Sequence, residues 1–260
     1  MLHRKDPEGL ICITQPIHAQ VSGQLARAWG NENFGHVPIP EVCIAAEQHD
    51  IGWLPWEAAP TLNMHSGYPR QFTEIPTEVH VGIWSGAKRL ALPLGGYVTL
   101  LVSLHGTSLY ERHTSWQNSP ATSQIVQDFL QCEYAFQAQL TTTLKNDSYY
   151  APYMVPEAIE RNRELVATWD ALSLALCQGF QSEQQVNQVP MALGETTLRL
   201  TAVKDHPFEI VMSPWPFQSS EVTLVYEGRL LRETFADEIA MQDALMSAAK
   251  IPLSTTLKPV

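Results

Sequence analysis

Six ionisable side chains, His18, His49, Asp50, His80, His105 and Asp170, fall on inward faces of predicted helices. There an imidazole or carboxylate without a partner costs about several kcal/mol, so a stable fold must supply one. His49 and Asp50 are adjacent in "AAEQHDIGW", residues 45–53, where two alanines leave room for a close approach. A metal ion is one such partner, and helix bundles build metal sites from ligands contributed by several helices. Histidines mixed with carboxylates suit first-row transition metals, iron or manganese foremost with zinc or nickel as alternatives; an all-oxygen set would suit magnesium or calcium. The set is about the right size for two adjacent divalent ions, with Asp50 bridging them through its two oxygens.

The elements that must position these residues are legible from periodicity. Thr14 is an N-cap for a helix that Gly30 and Asn31 close, with His18, Val21, Leu25, Ala28 and Trp29 on one face. A second helix opens at Pro40 and Glu41 and closes at Pro55, aligning Val42, Ala45, Ala46, His49, Asp50 and Trp53. Residues 55–75 read as a long structured loop, and the Gly67, Tyr68, Pro69 tripeptide within it as a turn. The next helix, from Pro76, aligns His80, Trp84, Ala87 and Ala91 until Gly95 and Gly96 break it.

"YVTLLVSLHGTSLYERH" predicts a central helix with Leu101, Leu104, His105 and Ser108 together, a strand over its first residues being the alternative. Residues 121–144 predict an amphipathic helix with the stripe Ile125, Phe129, Cys132, Phe136 and Leu140 and no ligand. Pro156 to Gly179 predicts another, in which Asp170 shares a face with Val166, Ser173 and Cys177. Aspartate in mid-helix is a poor helix former and is rarely buried unpaired, so it asks for the same explanation as Asp50.

Beyond about residue 185 helical spacing gives way to alternation. "TTLRLTAV", "PFEIVMSPWPF" and "EVTLVYEGRLL" predict three short strands, and "ADEIAMQDALMSAAK" a last helix ending before Pro252. The expectation is a mainly α protein: an all-α core over residues 14–182, with a small C-terminal antiparallel β element and helix over residues 190–250 packed on the same domain. "GLICI" is a candidate for addition at a sheet edge.

Composition bounds the partners. The chain has 260 residues, 45% hydrophobic and 17% charged, with a formal net charge of -11. An acidic surface opposes phosphate backbones and anionic lipid, which excludes a nucleic-acid polymer or a membrane as the expected partner and points to a small molecule. The polar N-terminal stretch lacks a signal-peptide core and no apolar run would span a bilayer, so the expected location is cytoplasmic; a homodimer is left open. Cys12, Cys43, Cys132 and Cys177 form no CxxC pair and read as reduced, buried thiols.

The order H…HD…H…H…D resembles that of the HD-domain superfamily of metal-dependent phosphohydrolases in its six-ligand, two-metal form. The strings "SGQLARAWGN", "HDIGW", "LLVSLHG" and "WDALSLALC" are similar to an uncharacterised family within it, DUF3891. The resemblance implies an HD-type helical bundle in which His18, His49, Asp50 and Asp170 hold one ion and Asp50, His80 and His105 the other. It further implies solvent activated between the ions, with Asp50, His80 and His105 at the reacting centre, attacking the phosphorus of a small phosphoester or nucleotide.

The substrate contacts are drawn from neighbours in sequence. Many HD phosphodiesterases place a cation shortly after the HD pair; here Trp53 stands there, an aromatic wall instead of an anion clamp. Arg70 and Lys88 are the substitute cations, Trp84 lies beside His80, and Glu57 is a candidate general acid. Two other readings remain: a di-iron oxygenase of the same superfamily cleaving a C–C or C–P bond, which weak cationic lining favours, and a non-catalytic metal or ligand sensor.

Overall fold

Thr14 caps the first helix as its residue type demands, its hydroxyl accepting from the Ile17 amide at 3.3 Å. The chain is described by a computed structural model over residues 1–180 and 182–260. Helix α1 runs Gln15–Ala28 and turns away through Gly30, whose φ of +114° a side chain would strain. Helix α2, Pro40–Gln48, stops one residue before His49, and Asp50 leaves helical geometry at φ -98°, ψ 18°. A single 3-10 turn, Ile51–Trp53, leads into the short α3, Leu54–Glu57. Gly52 matters here: a Cβ would lie 2.5 Å from the Ile83 carbonyl oxygen, so only glycine lets this turn rest on the next long helix.

That helix is α4, Thr77–Ala91, followed by α5, Gly96–Arg112. Residues Tyr97 to Ser103 are buried without interruption, so α5 is the central helix, and the strand alternative for this stretch does not occur. Helix α6, Pro120–Lys145, and α7, Pro156–Gln178, complete the bundle. The buried stripe of α6 is Val126, Phe129, Leu130, Glu133, Gln137 and Leu144. It is rotated from the predicted one because Glu133 is drawn inward by partners on α4 and α5, which leaves Cys132 exposed; Cys12, Cys43 and Cys177 are buried and all four are free thiols.

The loop after α3 contains a two-stranded hairpin, β3 (Leu62–Asn63) and β4 (Tyr68–Pro69), with Gly67 at φ +73° in its turn. Pro55, expected to close a helix, sits in the first turn of α3.

The β component overturns the expected fold class. A seven-stranded sheet runs in the order β1-β2-β8-β9-β7-β6-β5, using β1 (Leu2–Asp6), β2 (Gly9–Ile13), β5 (Gln184–Pro190), β6 (Glu195–Val203), β7 (His206–Ser213), β8 (Val222–Leu231) and β9 (Ala249–Pro259). The protein is therefore not mainly α with a small C-terminal antiparallel element, and not all-α. The sheet is mixed, because β7 and β9 pair in parallel; it recruits the N-terminus, Leu10 opposite Leu231, and extends past both ends of residues 190–250. The predicted last helix stops at Ser247, as α8 (Glu238–Ser247), and "AKIPLSTTLKP" is a central strand between β8 and β7.

The sheet's inner face packs on α1 and α7. Val222, Leu224 and Tyr226 alternate inward along β8 and join Leu198, Leu200, Ile210, Met212 and Leu257 in one core with the helices. A smaller cluster of Met1, Cys12, Leu231 and Leu245 lies beneath α8. Among the described residues no helix is long and apolar enough to cross a membrane.

Candidate metal centre

His49 sits where α2 has just ended. Carbonyls in a last helical turn lack an amide partner, and its Nδ1 donates to one of them, Ala46 O, at 2.7 Å. That bond fixes the proton on Nδ1 and turns Nε2 into the protein, where it lies 3.5 Å from Asp50 Oδ2 and 3.4 Å from Asp170 Oδ1. Nε2 is fully buried and has no hydrogen-bond partner.

His18 enters from α1. Its Nε2 lies 2.7 Å from Asp50 Oδ2 and 3.7 Å from Asp170 Oδ1. Its Nδ1 meets Ser173 Oγ at 2.7 Å, and that hydroxyl also donates to the Asp170 carbonyl at 2.9 Å and accepts from Ser22 at 2.8 Å. With the serine proton committed to a carbonyl, His18 donates from Nδ1 to Ser173, and its Nε2 is the atom hydrogen-bonded to the Asp50 carboxylate, in the place an ion would take. His105, from α5, brings Nε2 to 3.9 Å from Asp170 Oδ2, while its Nδ1 is buried without a partner. The rings of His18 and His49 are 5.0 Å apart and those of His49 and His105 4.6 Å.

These five side chains form two overlapping sets that meet the spacing of metal ligands: His18, His49, Asp50 and His49, His105, Asp170. Ligands about 2.0–2.2 Å from one ion lie about 3–3.6 Å from each other, and most separations around His49 are of that size. The donor set fits a divalent cation for a second reason: no lysine or arginine stands among these residues, so once the imidazoles are neutral, as metal ligands must be, the two carboxylates leave two negative charges for an ion to balance. Each of His18 and His49 also has its outer nitrogen bonded to an oxygen, the arrangement that orients metal-binding imidazoles.

Electrostatics agree with a shared positive centre. Burial opposes charge on His49, yet the Asp50 and Asp170 carboxylates outweigh it and raise its pKa to about 9. Burial would raise both aspartates, but the facing histidines hold Asp50 and Asp170 below the ordinary carboxylate range. Burial, assisted by His49, pushes His105 down to about 4.

His80 belongs to the same chamber and makes different contacts. Its Nε2 accepts from the Trp84 indole at 3.1 Å and its Nδ1 meets the Tyr110 hydroxyl at 2.6 Å, so both ring nitrogens are engaged. Burial pushes its pKa down to about 4 and pushes that of Tyr110 up.

The predicted substrate contacts scatter. Trp53 is buried edge-on to His80 with ring centroids 5.6 Å apart, and Trp84 packs on His105 at 5.5 Å over Gly106. Glu57 accepts from the Gln15 amide at 2.9 Å, faces the Met1 amine at 2.8 Å, and lines a separate cavity with Cys12 and Arg229. Lys88 is held by Glu133 on α6, and Arg70 donates to the Glu74 carbonyl at 3.4 Å.

The opening to the cluster is elsewhere, a cleft of about 750 Å³ lined by Phe72, His80, Tyr110, Arg112, Trp116 and Asp170 among others. Sequence reasoning did not assign Tyr110, Arg112 or Trp116. Ser22 could have been found, since it lies one turn beyond His18 on the same inward face; Ser173 is on the Asp170 face already in the sequence, but its bond to His18 is not legible there.

Fold and site together define a helical bundle, flanked by a mixed sheet, that presents buried histidine and aspartate to one cleft. The chain matches the family described as "Protein of unknown function (DUF3891)" over residues 1–233, and it belongs to that family. Neither a curated protein nor a solved structure matches it.

Proposed function

We propose that this chain is a metal-dependent phosphohydrolase of the HD-domain superfamily, in which His18, His49, Asp50 and Asp170 hold a divalent transition-metal ion. The observation that carries the reading is His49 Nε2, buried between two carboxylates with its other nitrogen committed to a carbonyl. Iron or manganese is the first choice and zinc or nickel the second. When bound, such an ion supplies Lewis acidity and lowers the pKa of coordinated water towards neutrality.

The chain's own residues bind and orient. Asp170 is the one carboxylate of the cluster that also lines the cleft, so an ion held by it would face solvent and substrate entering there. His105 stands beside it as the nearest nitrogen for a second ion. At the rim Arg112, although paired with Glu164 at 2.6 Å, brings a guanidinium suited to an anionic substrate. Leu109, Trp116 and Leu174 offer an apolar wall to the remainder of a small phosphoester or nucleotide. Trp53 and Trp84 seal the inner side against bulk water.

The test is elemental analysis of protein purified without added metal, followed by a phosphoester screen with manganese. Tightly bound metal and phosphate release are expected; metal-free protein that stays inactive after reconstitution would overturn the reading. A di-iron oxygenase is the second reading, favoured by the aromatic wall of Trp53, Trp84 and Tyr110 around His80 and His105. Its signature is oxygen consumption with ferrous iron and an organic co-substrate, and silence in both assays favours a sensor.

A further inference from the structure

We propose that Tyr110 is a fixed hydrogen-bond donor to an oxygen of the substrate's phosphoryl group, aimed into the cleft by a relay from Trp84 through His80. The acceptor named here rests on the phosphohydrolase reading; the direction of the hydroxyl does not.

The relay follows from which groups can donate. An indole N–H donates and never accepts, so at 3.1 Å from Trp84 Nε1 the His80 Nε2 must present its lone pair. A neutral imidazole with a bare Nε2 carries its proton on Nδ1. That N–H points at Tyr110 Oη, 2.6 Å away, and the phenol accepts it. With the histidine acting as donor, the phenol's own proton must go elsewhere, and Tyr110 Oη has no second hydrogen-bond partner among the described residues. Tyr110 lines the cleft shared with Asp170 and Arg112, so the O–H is left facing whatever occupies it. Any other protonation pattern of His80 would set two donors against each other at Trp84.

His80 and Trp84 are thereby positioning residues, and Tyr110 is the one that touches substrate. A neutral donor is useful beside Asp170: it binds a phosphoryl oxygen without neutralising the carboxylate that the ion needs. No proton is transferred; the hydroxyl orients and holds.

Two measurements on the full chain, loaded with zinc to stay diamagnetic, test this. Long-range ¹H–¹⁵N correlation spectra should show His80 protonated at Nδ1 and bare at Nε2, changing in Trp84→Phe to a ring that accepts from Tyr110. A His80 protonated at Nε2 in the unsubstituted protein overturns the relay. Titration with inorganic phosphate should then show Tyr110→Phe binding about tenfold to a hundredfold more weakly. Trp84→Phe should lose a similar factor and the double variant nothing further. Equal phosphate affinity in Tyr110→Phe and the unsubstituted protein overturns the donor role and leaves the hydrolase reading standing. No phosphate binding by the unsubstituted protein overturns that reading, while the tautomer alone judges the hydroxyl's direction.

Discussion

Glu133 and Lys88, between α4, α5 and α6, and the group around His49, between α1, α2, α5 and α7, are both buried ionisable clusters of one helical bundle. They differ in whether the chain supplies every partner. Glu133 takes Lys88 on one oxygen and Ser103 on the other at 2.6 Å; Ser103 in turn accepts from Gln137 at 3.0 Å, which also reaches Thr107 at 3.3 Å. No side-chain atom of this network is left buried and unpartnered. The His49 group has two carboxylates and no lysine or arginine, and it leaves His49 Nε2 and His105 Nδ1 without hydrogen-bond partners. A closed network fixes helix packing and needs nothing more. An open one with surplus negative charge points to something outside the chain.

The contrast can be broken most severely at the aspartates. Asp170→Ala should lose the tightly bound ion, and phosphoester hydrolysis should fall by at least about 1,000-fold, since the ion contributes several kcal/mol; full metal occupancy in this variant would erase the distinction. Glu133→Ala should do the opposite, keeping its metal while denaturant unfolding shows a loss of about 2 kcal/mol, because Lys88, 28% exposed, can turn to water while Ser103 loses its acceptor. Ser173→Ala removes the acceptor that orients His18 and should weaken metal binding about 10- to 100-fold in a competition assay, with little change in folding.

The proton on His49 gives a milder test. Its folded pKa of about 9 lies above the unfolded value near 6.5. Its contribution to the metal-free fold is therefore complete below about pH 6.5 and is lost as pH rises through 9. An ion must displace that proton. Metal affinity should climb about tenfold per pH unit from 7 towards 9, with about one proton released, seen by calorimetry in buffers of different ionisation enthalpy. Smallest of all, Ser103→Ala in the closed network should cost about 1 kcal/mol of stability and leave metal affinity unchanged.

Much of the helical half is legible in the sequence because burial there leaves a local trace. His18 lies with Val21 and Leu25, and Asp170 with Val166 and Ser173, at the spacing of one helix face. The sheet leaves far less. β1 reads "LHRKD" and β5 "QQVNQVP", polar stretches whose place in a sheet is set by partners distant in sequence, and β9 carries two prolines after a segment that continues helical spacing.

What the sequence by itself determined is the inventory and its facing: which residues could coordinate an ion, on which helices, turned inward. Tertiary structure decided how they are used. It joined Leu10 to Leu231 and set β9 beside β7, contacts with no periodic signature because strand pairing is non-local. It also divided the histidines, setting His49 Nε2 between two carboxylates while His80 turned to Trp84 and Tyr110. Helical spacing says only that an imidazole faces inward; which atoms its two nitrogens meet depends on neighbouring helices.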